Sequence, residues 1–454
     1  MNGTKKKFLI IDILVLIVLA VVLGVSMVWS RDIELKLGLL YYAEVEEVEE
    51  EPEKPEQPDD DQEVFDYTKY PQMYVHFVDV GQGDCTIIEL PDGKTMVIDG
   101  GENNKKVEKA VQTFIDNTFD SDFKYFDYAI LTHPDSDHCG SLDYILNKYP
   151  ARVVYRPNVE AVGTNSSPYT DPGKADLSAD AVSKNTAVYA NAVKAMYKQI
   201  DGEPNIVYVT DPSVESQTIK GGSGEYAYSF TFYSPLSTKY TGEGDWNNYS
   251  PIMILEYQGF RFAMSGDAEE KNLEEFVNKV QSAKTDGVTD KYDVFTDDYC
   301  VNVIKAGHHG SRNATTRDYL NTITTETGAA GVYCVISCGE GNSYKHPHAE
   351  ALDLYRSVGV KDENILRTDK LGDITFSVHM DETGVYKQYL GDKETKAPVM
   401  ALVYKTLGKI ELKWALIAWT VYAVLVIAAV IHIVFFGGHT QDTVSGNKGG
   451  GRKK

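Results

Sequence analysis

The residues of this sequence with the clearest capacity for chemistry form one short run, His133-Pro134-Asp135-Ser136-Asp137-His138. The run follows the apolar segment 128–131, which is typical of a buried strand. Imidazole nitrogens and carboxylate oxygens are common ligands of divalent metal ions, and loops at strand ends allow such side chains to converge. Alternation along an extended segment would place His133, Asp135 and Asp137 on one side, and the following turn would direct His138 to a second ion. The run therefore predicts half of a two-metal centre, with an acidic surface loop as the alternative.

Three later loops carry an aspartate or histidines directly after strand-like segments, at 265–267, 307–311 and 342–348. The first ends a strand and begins a helix, which would let Asp267 face a site and bridge two ions. Glycines in the second loop allow close approach of its backbone. Each loop alone has an ordinary explanation as a turn or a helix cap. The three together favour a single site.

These loops need a scaffold, and the pattern from residue 72 onward predicts an α/β domain of two sheets with helices outside, rather than one doubly wound parallel sheet. The segment 161–184, rich in Ser, Asp, Gly and Pro, predicts a long surface loop at the rim of the site. Strands are predicted at 74–78, 85–90, 95–98, 128–131, 152–155, 206–209, 228–233, 253–257, 260–264, 300–304 and 332–336, and helices at 105–119, 187–200, 268–280 and 349–357.

Two apolar runs, 8–29 and 414–436, are long enough to span a bilayer. Three lysines at 5–7 place the N-terminus in the cytoplasm by the positive-inside rule, so the body between the runs is expected outside the cytoplasm, at the cell membrane and in contact with lipid. A cleaved signal peptide is the alternative for the first run. The predicted order is a cytoplasmic tail at 1–7, an anchor at 8–29, a stalk at 30–69, a hydrolase domain at 70–396, a connector at 397–413, a membrane helix at 414–436 and a basic cytoplasmic tail at 437–454.

The net charge of −23 is concentrated in one segment. Between Glu44 and Asp66 there are thirteen acidic residues and one lysine, which is about half of the total, together with three prolines. Self-repulsion and proline both favour an extended, disordered stalk. An acidic balance argues against a dedicated nucleic-acid-binding protein, which would show a basic face to phosphates. Phosphate chemistry stays open because bound metal ions can supply positive charge locally.

Six motifs resemble, in order, those of the metallo-β-lactamase superfamily, and within it the extracellular hydrolase domain of ComEC-type competence proteins. The resemblance runs from about residue 74 to 389 and implies an αββα sandwich with metal ions between loops at one sheet edge. The motifs are FVDVGQGD at 77–84, IDGG at 98–101, LTHPDSDH at 131–138, SGD at 265–267, HHGS at 308–311 and NSYKHP at 342–347.

The resemblance implies a role for each polar residue of these motifs. Six are expected to bind two divalent ions, zinc or manganese: His133 and Asp135 the first ion, Asp137, His138 and His309 the second, with Asp267 as the bridge. The residues expected to contact substrate or stabilise charge, together with Asp137, are His308, Asn342 and His346. Asp79 and Asp84 are expected to brace the metal loop through hydrogen bonds.

The sequence departs from the common superfamily pattern at the first ion. Asp135 stands where a histidine is usual, and a carboxylate favours a harder ion such as manganese or magnesium. No clear histidine between His138 and Asp267 offers a further ligand. The shell of the first ion is therefore expected to be incomplete.

The expected reaction is hydrolysis of an anionic phosphoester, DNA or a cell-envelope phosphodiester, by a metal-activated hydroxide and without an organic cofactor. Three carboxylates and two divalent ions would leave the site with a formal charge of about +1, which attracts such a substrate. Two membrane spans are too few for the channel of a ComEC-type protein, so DNA uptake is not predicted. The alternatives are a lactone or β-lactam hydrolase in the same fold and a non-catalytic metal-binding interaction protein.

Overall fold

The computed structural model describes residues 70–391, apart from 178, 199–204, 210–217, 241–245, 287–290, 326–327 and 382. All described residues belong to one compact unit, Gln57–Val403. The membrane runs 8–29 and 414–436, the tails, the connector and nearly all of the stalk lie outside the described residues. Within the described part, no helix has the length and apolar character needed to cross a membrane.

Eighteen strands and eight α-helices are described in this part of the chain. The strands are β1 Met73–Phe77, β2 Thr86–Glu89, β3 Thr95–Ile98, β4 Phe126–Ile130, β5 Ala151–Arg156, β6 Val159–Thr164, β7 Ser167–Thr170, β8 Val182–Asn185, β9 Asn205–Tyr208, β10 Thr218–Gly221, β11 Tyr228–Phe232, β12 Met253–Tyr257, β13 Phe260–Met264, β14 Val303–Lys305, β15 Tyr333–Ile336, β16 Ile365–Arg367, β17 Ile374–Met380 and β18 Tyr386–Leu390. The helices are α1 Lys105–Thr118, α2 Ser136–Cys139, α3 Leu142–Lys148, α4 Ala187–Met196, α5 Glu270–Asp286, α6 Arg317–Ile323, α7 Ala349–Ser357 and α8 Thr368–Leu371.

The strands form two large sheets and one small sheet. The first large sheet has the order β18-β17-β1-β2-β3-β4-β5-β9, and the second has the order β10-β11-β12-β13-β14-β15-β16. Side chains of successive residues point to opposite faces of a strand, and β3 illustrates this: Met96 and Ile98 pack in a core shared by the two sheets, whereas Val97 packs in a core with helices. Both faces of each sheet are therefore buried.

Helices cover the two outer faces. Val107, Val111 and Ile115 of α1 lie at helical spacing in the core outside the first sheet, together with residues of α3 and α4. Residues of α5, α6 and α7 pack in the core outside the second sheet. The described part is thus a four-layer αββα sandwich, and the sequence-based prediction of two sheets with helices outside is confirmed.

The prediction of a long loop at 161–184 is wrong. This part of the chain forms a three-stranded sheet of order β7-β6-β8, which we call the insert (Val159–Asn185). A buried ion pair stabilises the insert in addition to its few apolar residues. Arg156 Nη2 donates to Asp171 Oδ2 at 2.7 Å, and both side chains are inaccessible to solvent. The same Asp171 oxygen accepts from the backbone nitrogen of Ala161 at 3.0 Å.

Strand direction explains why the polar loops meet. β3, β4 and β5 run parallel in the first sheet, and β13, β14 and β15 run parallel in the second. The carboxyl ends of neighbouring parallel strands lie at the same edge of a sheet, so the loops that follow them converge. The loops after β4, β13 and β14 begin with the residues at 131, 265 and 306, which lead directly to the expected metal ligands.

Candidate metal centre

The loop after β4 is only partly extended. His133 follows Leu131 and Thr132 in extended chain, but 136–139 form one turn of helix, α2. The expected alternation of Asp135 and Asp137 along one extended segment is therefore wrong. The turn instead brings His138 back towards His133, and the two buried rings lie with their centroids 4.2 Å apart.

Four of the expected ligands surround one point. His138 Nε2 lies 3.1 Å from Asp267 Oδ1. His309 Nε2 lies 3.2 Å from Asp137 Oδ2 and 3.6 Å from Asp267 Oδ2. Asp267 thus faces His138 with one oxygen and His309 with the other. The structure brings these four side chains together from loops that are up to 172 positions apart in the chain, since they begin at Asp137 and end at His309.

Asp84 also belongs to this group. One donor atom from each of Asp84, His138, Asp267 and His309 lies within 4.8 Å of the others. Asp84 Oδ1 is 3.4 Å from His309 Nδ1, while its Oδ2 accepts from the buried Lys305 Nζ at 2.8 Å. Its backbone nitrogen donates to the Asp137 carbonyl at 3.1 Å. The Asp84 carboxylate therefore belongs to the group of donors itself, whereas the sequence led us to expect only a bracing role beside it.

Several buried polar atoms in this region have no hydrogen-bond partner. They are Nε2 of His133, His138 and His309, Oδ1 of Asp84 and Oδ1 of Asp267. A buried polar atom without a partner costs about 1–3 kcal/mol, and most such atoms in proteins are satisfied. The four from Asp84, His138, Asp267 and His309 lie around one point and indicate a ligand that they share, whereas His133 is outside this group. Imidazole nitrogens and carboxylate oxygens suit a divalent metal ion, so the residues present fit such an ion.

Hydrogen bonds to the Nδ1 atoms of His138 and His309 orient the two central imidazoles. His138 Nδ1 donates to Asp99 Oδ2 at 2.8 Å, and His309 Nδ1 donates to the Ser337 carbonyl at 3.0 Å. Because each Nδ1 keeps its hydrogen in these bonds, each Nε2 is the atom that faces the centre and can bind a metal ion after it loses its proton. Asp99 also accepts from the backbone nitrogen and the hydroxyl of Thr132. No role was assigned to Asp99 from the sequence, although the IDGG motif contains it.

Backbone conformation at the site is unusual. Asp99, His308 and His309 all have positive φ, at 58°, 46° and 55°. Residues with a side chain rarely adopt this region, and it costs free energy that the surrounding structure must supply. The flanking Gly307 and Gly310 allow the chain to make this turn next to the ligands.

The carboxylates make the centre strongly attractive to cations. Burial lowers the pKa of His309, but Asp267 and Asp84 outweigh it and raise that pKa to about 10. His138 behaves in the same way, and Asp267 and Asp99 raise its pKa well above the usual range. Burial raises the pKa of Asp137, but His309 and His138 lower it to about 2. A proton or a metal ion is therefore strongly bound at these imidazoles.

The half of the expected centre formed by His133 and Asp135 has a different arrangement of side chains. His133 Nε2 lies 3.7 Å from Asp135 Oδ2 and 3.9 Å from Asp267 Oδ2. The other oxygen of Asp135, Oδ1, accepts from Lys184 Nζ at 2.8 Å. A lysine of the insert thus occupies part of the space expected for the first ion, and sequence spacing gave no indication of it.

His308 and His346 lie beside the centre. His308 Nε2 is 3.6 Å from Asp267 Oδ2, and its Nδ1 donates to Glu269 Oε1 at 3.0 Å. The ring of His346 lies 5.3 Å from that of His308, and its Nδ1 has no hydrogen-bond partner. Burial and the neighbouring His308 lower the pKa of His346 to about 4, which keeps it neutral at physiological pH.

Asn342 makes its hydrogen bonds within its own loop, whereas the backbone nitrogen of Asp79 also donates to Asp373 Oδ1 at 2.8 Å. The Asn342 amide donates to the carbonyls of Gly339 and His346 and accepts from the His346 nitrogen. It therefore positions His346, and a direct contact with substrate stays a prediction. Asp79 Oδ1 accepts from the backbone nitrogen of Gly81 at 3.1 Å.

Part of the described domain is similar to a known protein family. A family model described as the metallo-beta-lactamase superfamily matches residues 78–238. Residues 78–238, about a third of the chain, are thus similar to this superfamily, and the structure has the αββα sandwich that the motifs led us to expect.

Three curated proteins are similar to this chain over a longer or comparable stretch. The chain is 22% identical to ComE operon protein 3 of Bacillus subtilis (strain 168) over 327 residues, which is 69% of this chain and 34% of that protein. It is 23% identical to Recombination protein 2 of Haemophilus influenzae (strain ATCC 51907 / DSM 11121 / KW20 / Rd) over 300 residues, 65% of this chain and 28% of that protein. It is 28% identical to Competence protein ComA of Neisseria gonorrhoeae over 165 residues, 35% and 20% of the two chains. The resemblance stated from the motifs is confirmed, and the chain spans about a third or less of the length of these relatives.

Proposed function

We propose that this chain is a metal-dependent hydrolase of phosphoesters. The observation that carries the proposal is the convergence of unpartnered nitrogens of His138 and His309 with unpartnered carboxylate oxygens at one buried point. Such a mixed donor set suits zinc or manganese, and the carboxylates favour the harder ion. The relatives, which include a protein named for competence and one named for recombination, suggest a DNA-related role, so DNA is the first substrate to test. A cell-envelope phosphodiester has the same chemistry and is the second substrate to test.

The chain's own residues would prepare the site for this reaction. Asp137, His138, Asp267 and His309 would hold a divalent ion, which when bound supplies an activated water and neutralises negative charge on phosphate. Asp99 keeps the His138 ring in a single orientation, with its hydrogen on Nδ1. Holding the ligands before substrate arrives reduces the reorganisation that the reaction requires.

Two further imidazoles are placed to act on the substrate. Glu269 holds His308 by its Nδ1 atom, so that Nε2 faces the centre. His346 offers a neutral ring with a free Nδ1 at the neighbouring position. His308 can donate from Nε2 in its protonated form, because burial lowers its pKa but Asp267 and Glu269 raise it overall, and His346 can donate from Nδ1 to a phosphate oxygen or to the leaving oxygen. We therefore assign both a role in substrate binding and charge stabilisation.

We also propose that the domain lies outside the cytoplasm, tethered to the cell membrane by the runs 8–29 and 414–436. The lysines at 5–7 and the hydropathy of both runs support this arrangement. Protease added to intact cells should remove the domain while the N-terminal tail stays protected. Complete protection of the domain would contradict the proposal.

Hydrolysis assays test the proposed reaction. The full chain in detergent should hydrolyse single-stranded DNA or bis-p-nitrophenyl phosphate when manganese or zinc is present, and not after metal removal by chelation. Asp137→Ala and His138→Ala should each reduce the rate by about a hundredfold or more, since each removes a ligand. Asp297→Ala is a matched control because that carboxylate is 98% exposed and lies outside the centre.

Two outcomes would contradict the proposal. Hydrolysis of nitrocefin without hydrolysis of any phosphodiester would assign the site to β-lactam or lactone substrates. A metal-loaded protein that hydrolyses none of these substrates, including teichoic-acid phosphodiesters, would assign it to binding alone.

A further inference from the structure

We propose that Lys184 provides a built-in positive charge in place of the first metal ion, so that the centre binds one divalent ion. The inference rests on the metal-binding part of the proposed function and replaces the sequence-based expectation of two ions. It concerns the half of the centre formed by His133 and Asp135, where the sequence already lacked a further histidine.

The first step of the argument is the contact itself. Lys184 Nζ lies 2.8 Å from Asp135 Oδ1, which is the distance of a charge-assisted hydrogen bond. Asp135 is thus already paired with a cation. His133 and Asp135 also lie outside the described group of donors that approach one another within 4.8 Å. A metal ion bound to Asp135 would be repelled by this ammonium group.

The second step is that Lys184 is held in place on two sides. Its Nζ lies 4.7 Å from the centroid of the Trp246 ring, a favourable cation–π contact, and the side chain is only 17% exposed. Lys184 therefore does not resemble a surface lysine that meets Asp135 by chance.

The third step is that the fold anchors the strand that carries Lys184. In β8, Lys184 pairs with Ala161 of β6. The backbone nitrogen of Ala161 donates to Asp171, which forms the solvent-inaccessible ion pair with Arg156 at the end of β5. A continuous series of contacts therefore fixes Lys184 relative to the central sheet.

The fourth step is the balance of formal charge. Lys305 neutralises Asp84 and Lys184 neutralises Asp135, each at 2.8 Å. The negative charge of Asp135 is thus already compensated, whereas Asp137 and Asp267 have no lysine partner at these distances among the described residues and keep their charge for the ion at His138 and His309. A second divalent ion at Asp135 would add positive charge where a lysine already supplies it.

The arrangement also gives Lys184 a role towards substrate. An ammonium group has three hydrogens, and the contact with Asp135 uses one of them. The remaining hydrogens can bind a phosphate oxygen at the position where a second ion would otherwise contact it. Lys184 is thus a positioning residue for Asp135 and a binding group for the phosphate.

Metal stoichiometry tests the inference without reference to activity. Manganese binding to the full chain in detergent is measured by calorimetry and by elemental analysis after dialysis, and electron paramagnetic resonance detects coupling between neighbouring manganese ions. Wild type should bind one ion per chain, with the spectrum of an isolated ion. Lys184→Met keeps the apolar stem and removes the charge, and it should bind a second ion at least tenfold more tightly than wild type, with a coupled spectrum.

Two control variants accompany this test. Lys184→Arg keeps the charge and should still bind one ion. Lys174→Met changes another lysine of the insert, which is 64% exposed and pairs with Glu160, and should leave stoichiometry unchanged. Circular dichroism checks that each variant is folded.

The possible results separate this inference from the proposed function. Two tightly bound ions in wild type, or one ion in both wild type and Lys184→Met, would overturn the role of Lys184. One ion in wild type and two in Lys184→Met, without phosphodiester hydrolysis, would support this inference and contradict the proposed function. A wild-type chain that binds no ion would overturn the metal premise of both.

Discussion

His138 Nδ1 lies 2.8 Å from Asp99 Oδ2, and this single contact ties the metal loop after β4 to the end of β3. All three groups that bind the Asp99 carboxylate are donors: the His138 imidazole and the backbone nitrogen and hydroxyl of Thr132. Its two oxygens therefore hold both the loop and the imidazole that faces the centre.

Asp99→Asn should weaken metal binding by about 10–100-fold, because groups that orient a ligand contribute about that much to affinity. Asparagine tolerates the positive φ of this position, but its amide nitrogen must face one of the three donors. Calorimetry measures the affinity. Asp127→Asn is the matched control, since Asp127 accepts from Thr95 at the opposite end of the same two strands. Equal affinities for Asp99→Asn and wild type would contradict the orienting role.

Metal binding should release protons at neutral pH. Without a metal, burial lowers the pKa of His309 but nearby carboxylates raise it to about 10, so a proton occupies the imidazole that would bind the ion. The apparent metal affinity should therefore rise as pH rises towards about 10, by up to about tenfold per pH unit for each proton displaced. Calorimetry in two buffers with different ionisation enthalpies counts the protons released. An affinity that is constant between about pH 6 and pH 9 would contradict this prediction.

Breaking the ion pair of the insert should destabilise the domain. Arg156→Met leaves the Asp171 carboxylate buried without its partner, and loss of one partner of a buried pair costs about 3–5 kcal/mol. Urea unfolding measures the change in the free energy of unfolding, and limited proteolysis detects exposure of the insert. Lys174→Met removes an exposed pair in the same insert and should change the free energy little. A loss in Arg156→Met no larger than in this control would contradict the anchoring role.

The sequence predicted the sandwich because its strands are buried on both faces and appear as continuous apolar runs, such as 128–131. The prediction for the insert was wrong because its polar composition is typical of a loop. In the structure a buried ion pair between Asp171 and Arg156 stabilises strands there. β17 was missed for a related reason, since Ser377 and His379 are polar yet buried.

The candidate site also contains residues that the sequence predicted and one that it did not. The sequence placed His133, His138 and Asp267 among the expected ligands because they belong to short motifs at strand ends, and the structure groups His138 and Asp267 with Asp84 and His309. Lys184 was not predicted because its contact with Asp135 joins positions 49 apart in the chain and depends on the pairing of β8 with β6. No periodicity or motif in the sequence encodes that distance.

Tyr344→Ala should discriminate between DNA and a small phosphodiester. The Tyr344 side chain is 63% exposed, and its ring stacks on His346 with centroids 5.7 Å apart and planes 21° from parallel. An exposed aromatic ring beside a phosphodiester site can stack on a nucleobase, and each such contact contributes about 1–3 kcal/mol. The variant should therefore raise KM for single-stranded DNA by about tenfold and leave hydrolysis of bis-p-nitrophenyl phosphate unchanged, because that substrate has no base. Tyr226→Ala, at another exposed tyrosine, should change neither value. An equal loss on both substrates would mean that Tyr344 supports His346 rather than binding a base, and an unchanged KM for DNA would exclude this ring from the DNA-binding surface.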